Sequence, residues 1–229
     1  MICYKKDVAV LAQLVEHFHG KEKVSGPNPE NGSNMFKMLI IYAHPGHDGS
    51  HAYFLEQIKE ILKDKQQANY EVIDLYAINY NPVLQYSELY SAGRREVSPE
   101  NLAFQEKIKA ADCLLFIYPT WWQNMPAILK GFMDRVFVSG FAFVYKLGVP
   151  IGLLKNKKAA VFSATGGPRL YSRFFVKDQS VSVLTKDILA FAGIKARGFS
   201  VGSSSKLTEV NKPRLRKIAE KTLRYLLDK

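Results

Sequence analysis

Five strand candidates, Met38–Ala43, Tyr70–Leu75, Cys113–Tyr118, Lys158–Ala164 and Ala196–Val201, three of them largely continuous apolar runs, alternate with five helical patterns, Ser50–Lys65, Glu100–Ala110, Pro126–Val136, Val181–Ala192 and Thr208–Leu227. No other feature constrains the fold so tightly. Continuous apolar runs bounded by turn residues read as strands buried on both faces, the pattern of a parallel sheet. Parallel strands need long crossovers, and the intervening helices supply them. The alternation predicts an α/β fold: a three-layer, doubly wound, parallel five-stranded sheet with helices on both faces and right-handed connections. A phosphate-type loop after the first strand favours the order 2-1-3-4-5.

At 229 residues the chain fits one domain with a tail. No apolar run approaches the ~18 residues that span a bilayer, so a membrane-embedded protein is not expected. The net charge is +11, and the late bases Lys212, Arg214, Arg216, Lys217, Lys221 and Arg224 are interleaved with Leu215, Ile218, Ala219, Leu223 and Leu226. That is an amphipathic helix with a solvated face; without zinc-finger spacing or an aromatic RNA-binding signature, no nucleic-acid partner is expected. There are two cysteines, Cys3 and Cys113, in no metal-like spacing. Cys113 falls inside a predicted strand and reads as a core residue in a reducing, cytoplasmic compartment.

Residues 1–34 differ from the rest. Lys5 and Lys6 precede Val8–Ala12 as in a signal peptide, but Gln13, Glu16 and His17 interrupt the apolar region and no cleavage pattern follows. The run from Leu11 to Pro29 resembles the conceptual translation of a transfer-RNA gene. The segment is read as a non-native or disordered extension, with a start at Met35 or Met38 and a domain over 35–229; a short docked helix, Val8–His19, is the alternative.

Chemistry concentrates at three strand–loop–helix junctions. Tyr118-Pro119-Thr120-Trp121-Trp122-Gln123 leads from one strand into a helix with Pro126 in its first turn, Thr165-Gly166-Gly167 follows another, and His44-Pro45-Gly46 follows the first. Three such loops share the carboxyl edge of the sheet, where open α/β folds bind ligands. Adjacent tryptophans there wall a site for a flat aromatic ligand, or else cap the core or a subunit contact. Two long connections, Tyr76–Pro99 and Ser139–Asn156, carry Tyr80, Tyr86, Tyr90, Phe141, Phe143 and Tyr145, which read either as a cover over the core or as a dimer face.

Taken together, Pro119-x-Trp121-Trp122-x-x-x-Pro126-Ala127-x-Leu129-Lys130-Gly131-x-x-Asp134-Arg135-Val136-Phe137, Ala43-His44-Pro45 with Ser50, Asp74-Leu75-Tyr76 and Thr165-Gly166-Gly167 with Tyr171 resemble the NAD(P)H:quinone oxidoreductases of flavodoxin-like fold. The resemblance covers roughly Met38 to Phe199. It implies a flavin, FMN or FAD, that passes two electrons from the co-substrate NAD(P)H to quinones or related electrophiles, in a homodimer. Carried over, His44 and Ser50 lie on the flavin phosphate, where a helix N-terminus favours an anion. For Ser50 a plain N-cap is compatible, and His44 alternatively holds its own loop through backbone hydrogen bonds. Pro119, Thr120, Trp121, Trp122 and Gln123 border the ring, Thr165, Gly166 and Gly167 line the same side, and Tyr171 is the catalytic hydroxyl near the hydride path. No metal is implied.

The chain departs from the family in three ways, one being Tyr53, which stands where the family often has asparagine. All five histidines, the last at His51, precede Tyr53, so the histidine that family members place after the catalytic tyrosine has no counterpart; Arg169 and Arg173 are the candidates to replace it. The stretch after Phe199 is short for an FAD-type member, which favours FMN. The competing functions are a flavodoxin-type one-electron carrier, usually acidic where this chain is basic, and an ancillary subunit of a potassium efflux system.

Overall fold

The computed structural model describes residues 36–65, 68–89, 93, 96–168, 178–204 and 206–228, and these fall within one unit of the chain, Met35–Lys229. The segment 1–34, read as foreign, lies outside the described residues. So do Tyr90, Arg169, Tyr171 and Arg173.

In chain order the elements are β1 (Phe36–Tyr42), α1 (Gly49–Lys65), β2 (Ala68–Asp74), a 3-10 turn (Tyr86–Glu88), α2 (Pro99–Ala110), β3 (Cys113–Pro119) and α3 (Ala127–Val136). There follow β4 (Phe143–Lys146), β5 (Val149–Gly152), β6 (Lys158–Ala164), a short α4 (Gln179–Ser182) continuing into a π-helix (Val183–Leu189), β7 (Lys195–Val201) and α5 (Lys212–Leu227). The main sheet has five strands in the order β2-β1-β3-β6-β7, all paired in parallel. Counting only its own strands, this is the expected 2-1-3-4-5.

Pleating divides the core. Leu39 and Ile41 of β1 share one layer with Leu114, Phe116 and Tyr118 of β3, closed by Phe104, Phe132 and Leu184. Met38, Ile40 and Tyr42 share the other with Cys113, Leu115 and Ile117, closed by Phe54 and Ile58 of α1 and Leu215 and Leu223 of α5. All seven residues of β3 are buried, which is why its run is continuously apolar. Cys113 is fully buried there, and desolvation pushes its thiol pKa up to about 12.

Three details differ from the sequence reading. Ser139–Asn156, read as a loop, holds the antiparallel hairpin β4–β5. Its turn, Leu147-Gly148, has φ of 51° and 78°, the geometry that normally selects Asn-Gly, so the leucine hid it. The helix over 181–192 is largely π-helical, and the Thr185 hydroxyl donates to the Val181 carbonyl at 2.8 Å in competition with the backbone. The last helix starts at Lys212 rather than Thr208, because Thr208 and Asn211 close a turn of their own (Thr208 N to Asn211 Oδ1, 2.9 Å) and Pro213 suits a first turn.

The long connection after β2 is clamped to α3. A Cβ on Gly131 would lie 2.2 Å from the Pro82 carbonyl oxygen, so only glycine permits this approach. One turn on, Arg135 forms a bidentate pair with Glu88 (Nε to Oε2 2.9 Å, Nη2 to Oε1 2.8 Å) and donates to the Asn81 carbonyl. Tyr80 lies beneath this clamp, 2% exposed, its hydroxyl donating to Asn101 Oδ1 at 2.9 Å.

Candidate active site

The carboxyl ends of β1, β3, β6 and β7 meet at one rim. After β3, the Thr120 amide donates to the Ala164 carbonyl at 3.0 Å and its hydroxyl meets Ser163 Oγ at 2.8 Å, binding this loop to the end of β6. Trp121 and Asn124 then exchange both backbone hydrogen bonds, at 3.0 and 2.9 Å, with Trp122 and Gln123 between them at φ 50° and 59°. Both central residues of this two-residue turn are left-handed, a conformation suited to Asn-Gly. With a tryptophan and a glutamine it costs roughly 1 kcal/mol or more per residue. The Trp122 side chain is fully exposed and Trp121 is 43% exposed. The fold therefore holds the Trp122 indole wholly in solvent and Trp121 partly so, on a strained turn.

The loop after β6 is strapped to the loop after β7. Thr165 N donates to the Val201 carbonyl (2.9 Å), Ser204 N to the Thr165 carbonyl (3.0 Å), and Ser203 N to the Gly167 carbonyl (2.8 Å). At Gly167 φ is not positive, and the nearest atom to an added Cβ is Thr165 Oγ1 at 4.0 Å. Among the described residues, neither backbone conformation nor packing requires glycine there. Gly166 beside it is exposed.

The loop after β1 folds on itself. His44 Nδ1 accepts from the Gly46 amide at 3.0 Å and lies 2.8 Å from the Gly46 carbonyl, so this histidine does hold its own loop. The Ser50 hydroxyl, buried at the start of α1, bonds to the Ser204 carbonyl (2.9 Å) and hydroxyl (2.8 Å). That ties α1 to the β7 loop and commits the hydroxyl within the protein. The first-turn amides of α1 have no intrahelical acceptors, and no acidic side chain lies in that turn.

Three further groups at the rim went unread in the sequence. His51, 6% exposed, accepts from the Ala164 amide at 3.3 Å and stacks on His44 with centroids 4.9 Å apart. Burial, then the neighbouring His44, lowers its pKa to about 3, so the ring is neutral. His47 pairs with Asp74 at 3.3 Å and stacks on Tyr42. Tyr118 donates to the Ser180 carbonyl at 2.6 Å, anchoring the start of α4. The sequence signal was the spacing His44, His47, His51 across one strand–helix junction, which places imidazoles on both sides of the loop.

The structure thus brings His44, Ser50, Pro119, Thr120, Trp121, Trp122, Gln123, Thr165, Gly166 and Gly167 to one edge of the sheet. Tyr171 lies outside the described residues. Among the described residues no histidine, cysteine and carboxylate cluster is suited to a metal ion.

Known proteins agree with this architecture. The family described as having a flavodoxin-like fold matches residues 36–226. An uncharacterized NAD(P)H oxidoreductase of Haemophilus influenzae is 34% identical over 158 residues, 69% of this chain and 78% of that protein. NAD(P)H dehydrogenase (quinone) 1 of Rattus norvegicus is 34% identical over 152 residues, 57% of this chain and 54% of the relative, so the chain spans about half of that enzyme's length. The solved NAD(P)H:quinone oxidoreductase from Methanothermobacter marburgensis has a TM-score of 0.72 at 26% identity, covering 85% of this chain and 98% of that one. With the sheet order, the rim and these matches in agreement, the chain belongs to the NAD(P)H:quinone oxidoreductase family of flavodoxin-like fold.

Proposed function

We propose that the protein is a flavin-dependent NAD(P)H dehydrogenase (quinone), carrying out two-electron hydride transfer from NAD(P)H to quinones or related electrophilic acceptors. The observation that carries this reading is the left-handed Trp122–Gln123 turn, which presents exposed indoles beside a glycine pair. The residues present fit a flavin. Trp121 and Trp122 offer apolar surface to a planar ring, the space at Gly167 is open among the described residues and admits close approach, and the acid-free first turn of α1 suits a phosphate. Pro119, Thr120, Gln123, Thr165 and Gly166 complete the ring contacts, and His44 and Ser50 shape the phosphate end.

When bound, the flavin supplies the hydride chemistry, taking two electrons from NAD(P)H and delivering them to the acceptor. The chain's own part is positional and electrostatic. The Thr120–Ser163 and Thr165–Val201 links hold the two ring-side loops in a fixed relation before any ligand arrives. Backbone amides of those loops that are not taken up by the protein would stabilise the negative charge that reduction places on a bound flavin. Tyr171, outside the described residues, is proposed as the catalytic hydroxyl on the resemblance alone.

FMN is preferred to FAD. The apolar residues of α5, Leu215, Ala219, Leu223 and Leu226, are taken up by the core, so this face of the helix is not free to clasp an adenosine. A homodimer is supported by the hairpin face: Tyr145, Leu147, Val149 and Leu153 are 45% or more exposed, beside a cavity of about 520 Å³ lined by Val97, Met133, Phe137, Phe143 and Phe191. An isolated two-stranded hairpin is marginal in water, and a second copy would cover it. The test is the visible spectrum of the purified protein, followed by NAD(P)H oxidation with menadione and chromatography of the released cofactor. A flavin spectrum with turnover is expected. A protein that stays colourless after incubation with FMN and with FAD overturns the proposal.

A further inference from the structure

We propose that the outer face of α5, with the edge strand β7 beside it, is a docking surface for an anionic lipid bilayer, held there by charge. The choice of occupant rests on the quinone reading above, because apolar quinones dissolve in bilayers. Residues 195–229 hold ten of the chain's 32 Lys and Arg side chains but only three of its 21 Asp and Glu, so most of the net charge of +11 lies in this stretch. Along α5, Arg214, Lys217, Lys221 and Arg224 follow one another in steps of three, four and three. That spacing puts all four on one stripe of the helix, about 15 Å long, opposite Leu215, Ala219, Leu223 and Leu226 in the core. All four are exposed, and among the described residues none has an ion-pair partner. Arg216, which faces α1, does have them: Glu60 at 3.4 Å and Glu220 at 3.8 Å. Exposed Arg197 and Lys195 of β7 continue the surface past Tyr225, whose hydroxyl donates to the Lys195 carbonyl at 3.1 Å.

The stripe is unfavourable on its own. Like charges three and four residues apart on a helix repel, and the first turn of α5, where acids are favoured, holds Lys212 and Arg214 and no acid. An anionic surface relieves both. The arrangement fits a plane rather than a strand of nucleic acid. A polyanion wrapped round the helix would meet Glu60 and Glu220 on the α1 side, whereas a flat one meets the outer stripe. No exposed residue of α5 carries an aromatic ring or an amide with which to stack on or read a base, and the Tyr225 ring lies against Lys158 and Arg197, each 5.8 Å from its centroid. The apolar side of α5 is committed to the core, so the contact is electrostatic, without insertion. The surface is also free in the proposed dimer: Phe143 of the hairpin packs in the layer of α2 and α3, and α5 packs in the other. Lys158 donates to the Asp228 carbonyl at 2.5 Å, which sets the end of α5 at the start of β6 and its first turn at the rim edge of the sheet.

The test is co-sedimentation of the full-length protein with vesicles of phosphatidylcholine alone and of phosphatidylcholine with phosphatidylglycerol, repeated with two paired variants of equal charge and with folding checked by circular dichroism. Lys217→Gln with Lys221→Gln removes two charges from the stripe; Lys107→Gln with Lys109→Gln removes two from α2, in the other layer. Partition onto the anionic vesicles is expected to exceed that onto the neutral ones about tenfold or more in dilute buffer and to fall as salt is added. The α5 pair is expected to lose about tenfold of it, and the α2 pair to stay within about twofold of wild type. With FMN bound, both pairs are expected to reduce menadione in water like wild type, and only the α5 pair to slow on a long-chain quinone carried in anionic vesicles. Equal partition onto the two kinds of vesicle, equal loss in the two pairs, a wild-type rate of the α5 pair on the vesicle-borne quinone, or tighter retention on duplex DNA than on anionic vesicles each overturn the assignment. Vesicle binding by a protein that takes up no flavin leaves the surface assigned and overturns the function proposed above, so the two failures are distinguishable.

Discussion

Replacing Arg135 with methionine isolates the clamp between α3 and the connection after β2. Arg135 and Glu88 are each only 6% exposed at the side chain, and the guanidinium also donates to the Asn81 carbonyl and lies 5.6 Å from the Tyr80 ring centroid. Methionine matches much of the volume but leaves a carboxylate and a carbonyl buried without their partner. Breaking a buried pair from one side costs about 3–5 kcal/mol. For a domain of this size each kcal/mol shifts the melting temperature by roughly 2–4 °C, so a drop of about 10 °C is expected for the apoprotein by calorimetry or circular dichroism. The double variant Glu88→Leu with Arg135→Met removes both charges and is expected to recover part of the loss. Burial by itself raises the Glu88 carboxyl pKa, but the hydrogen bonds from Arg135 and from the Gln85 amide outweigh it and hold the group below its ordinary 4.5. A folded-state pKa below the unfolded one means that the contribution is complete above about 4.5 and is lost as the pH falls through the folded value. The gap between wild type and Arg135→Met is therefore expected to be largest near pH 7 and to narrow in acid. A single variant melting within 2 °C of wild type at pH 7, by rough calorimetric precision, or a double variant less stable than the single, refutes the reasoning.

Three other outcomes follow from the geometry. Gly131→Ala, which in an exposed helix would stabilise by up to ~1 kcal/mol, is expected to destabilise by about 1–3 kcal/mol in urea unfolding, because its Cβ would collide with Pro82. The pair Trp122→Asn with Gln123→Gly installs the residues that a left-handed turn prefers; it should raise apoprotein stability by about 1 kcal/mol while weakening FMN binding, and unchanged FMN affinity would remove Trp122 from the site. With its thiol pKa pushed up to about 12, Cys113 is expected to ignore a thiol-reactive disulfide reagent at pH 8 in a Cys3→Ser background and to react only on denaturation; rapid labelling of the native protein would contradict its burial.

The centre of the sheet was legible because β1, β3 and β6 are buried on both faces over most of their length, so an apolar run alone marks them; β3 and β6 begin where the pattern begins. The loops that gather the site were legible as positions for the same reason, since parallel order forces their strand ends to one edge. Their internal geometry was not. Trp122 and Gln123 occupy a backbone conformation that their residue types disfavour, so no local preference announces the turn. The β4–β5 hairpin was hidden in the same way by Leu147. His51 and Ser204 act through partners more than 100 residues away in sequence, and pairing at that range leaves no periodic trace.

The rim also has a place in the timing of synthesis. Ser50, near the start of the domain, finds its partner in Ser204, 154 residues later, and the glycine turn is strapped by Ser203 and Ser204. A nascent chain can therefore pair β1, β2 and β3 while still on the ribosome, yet the edge that would receive a cofactor stays unfinished until the last strand and the turn after it have emerged. Maturation of such a protein is gated by its C-terminal portion.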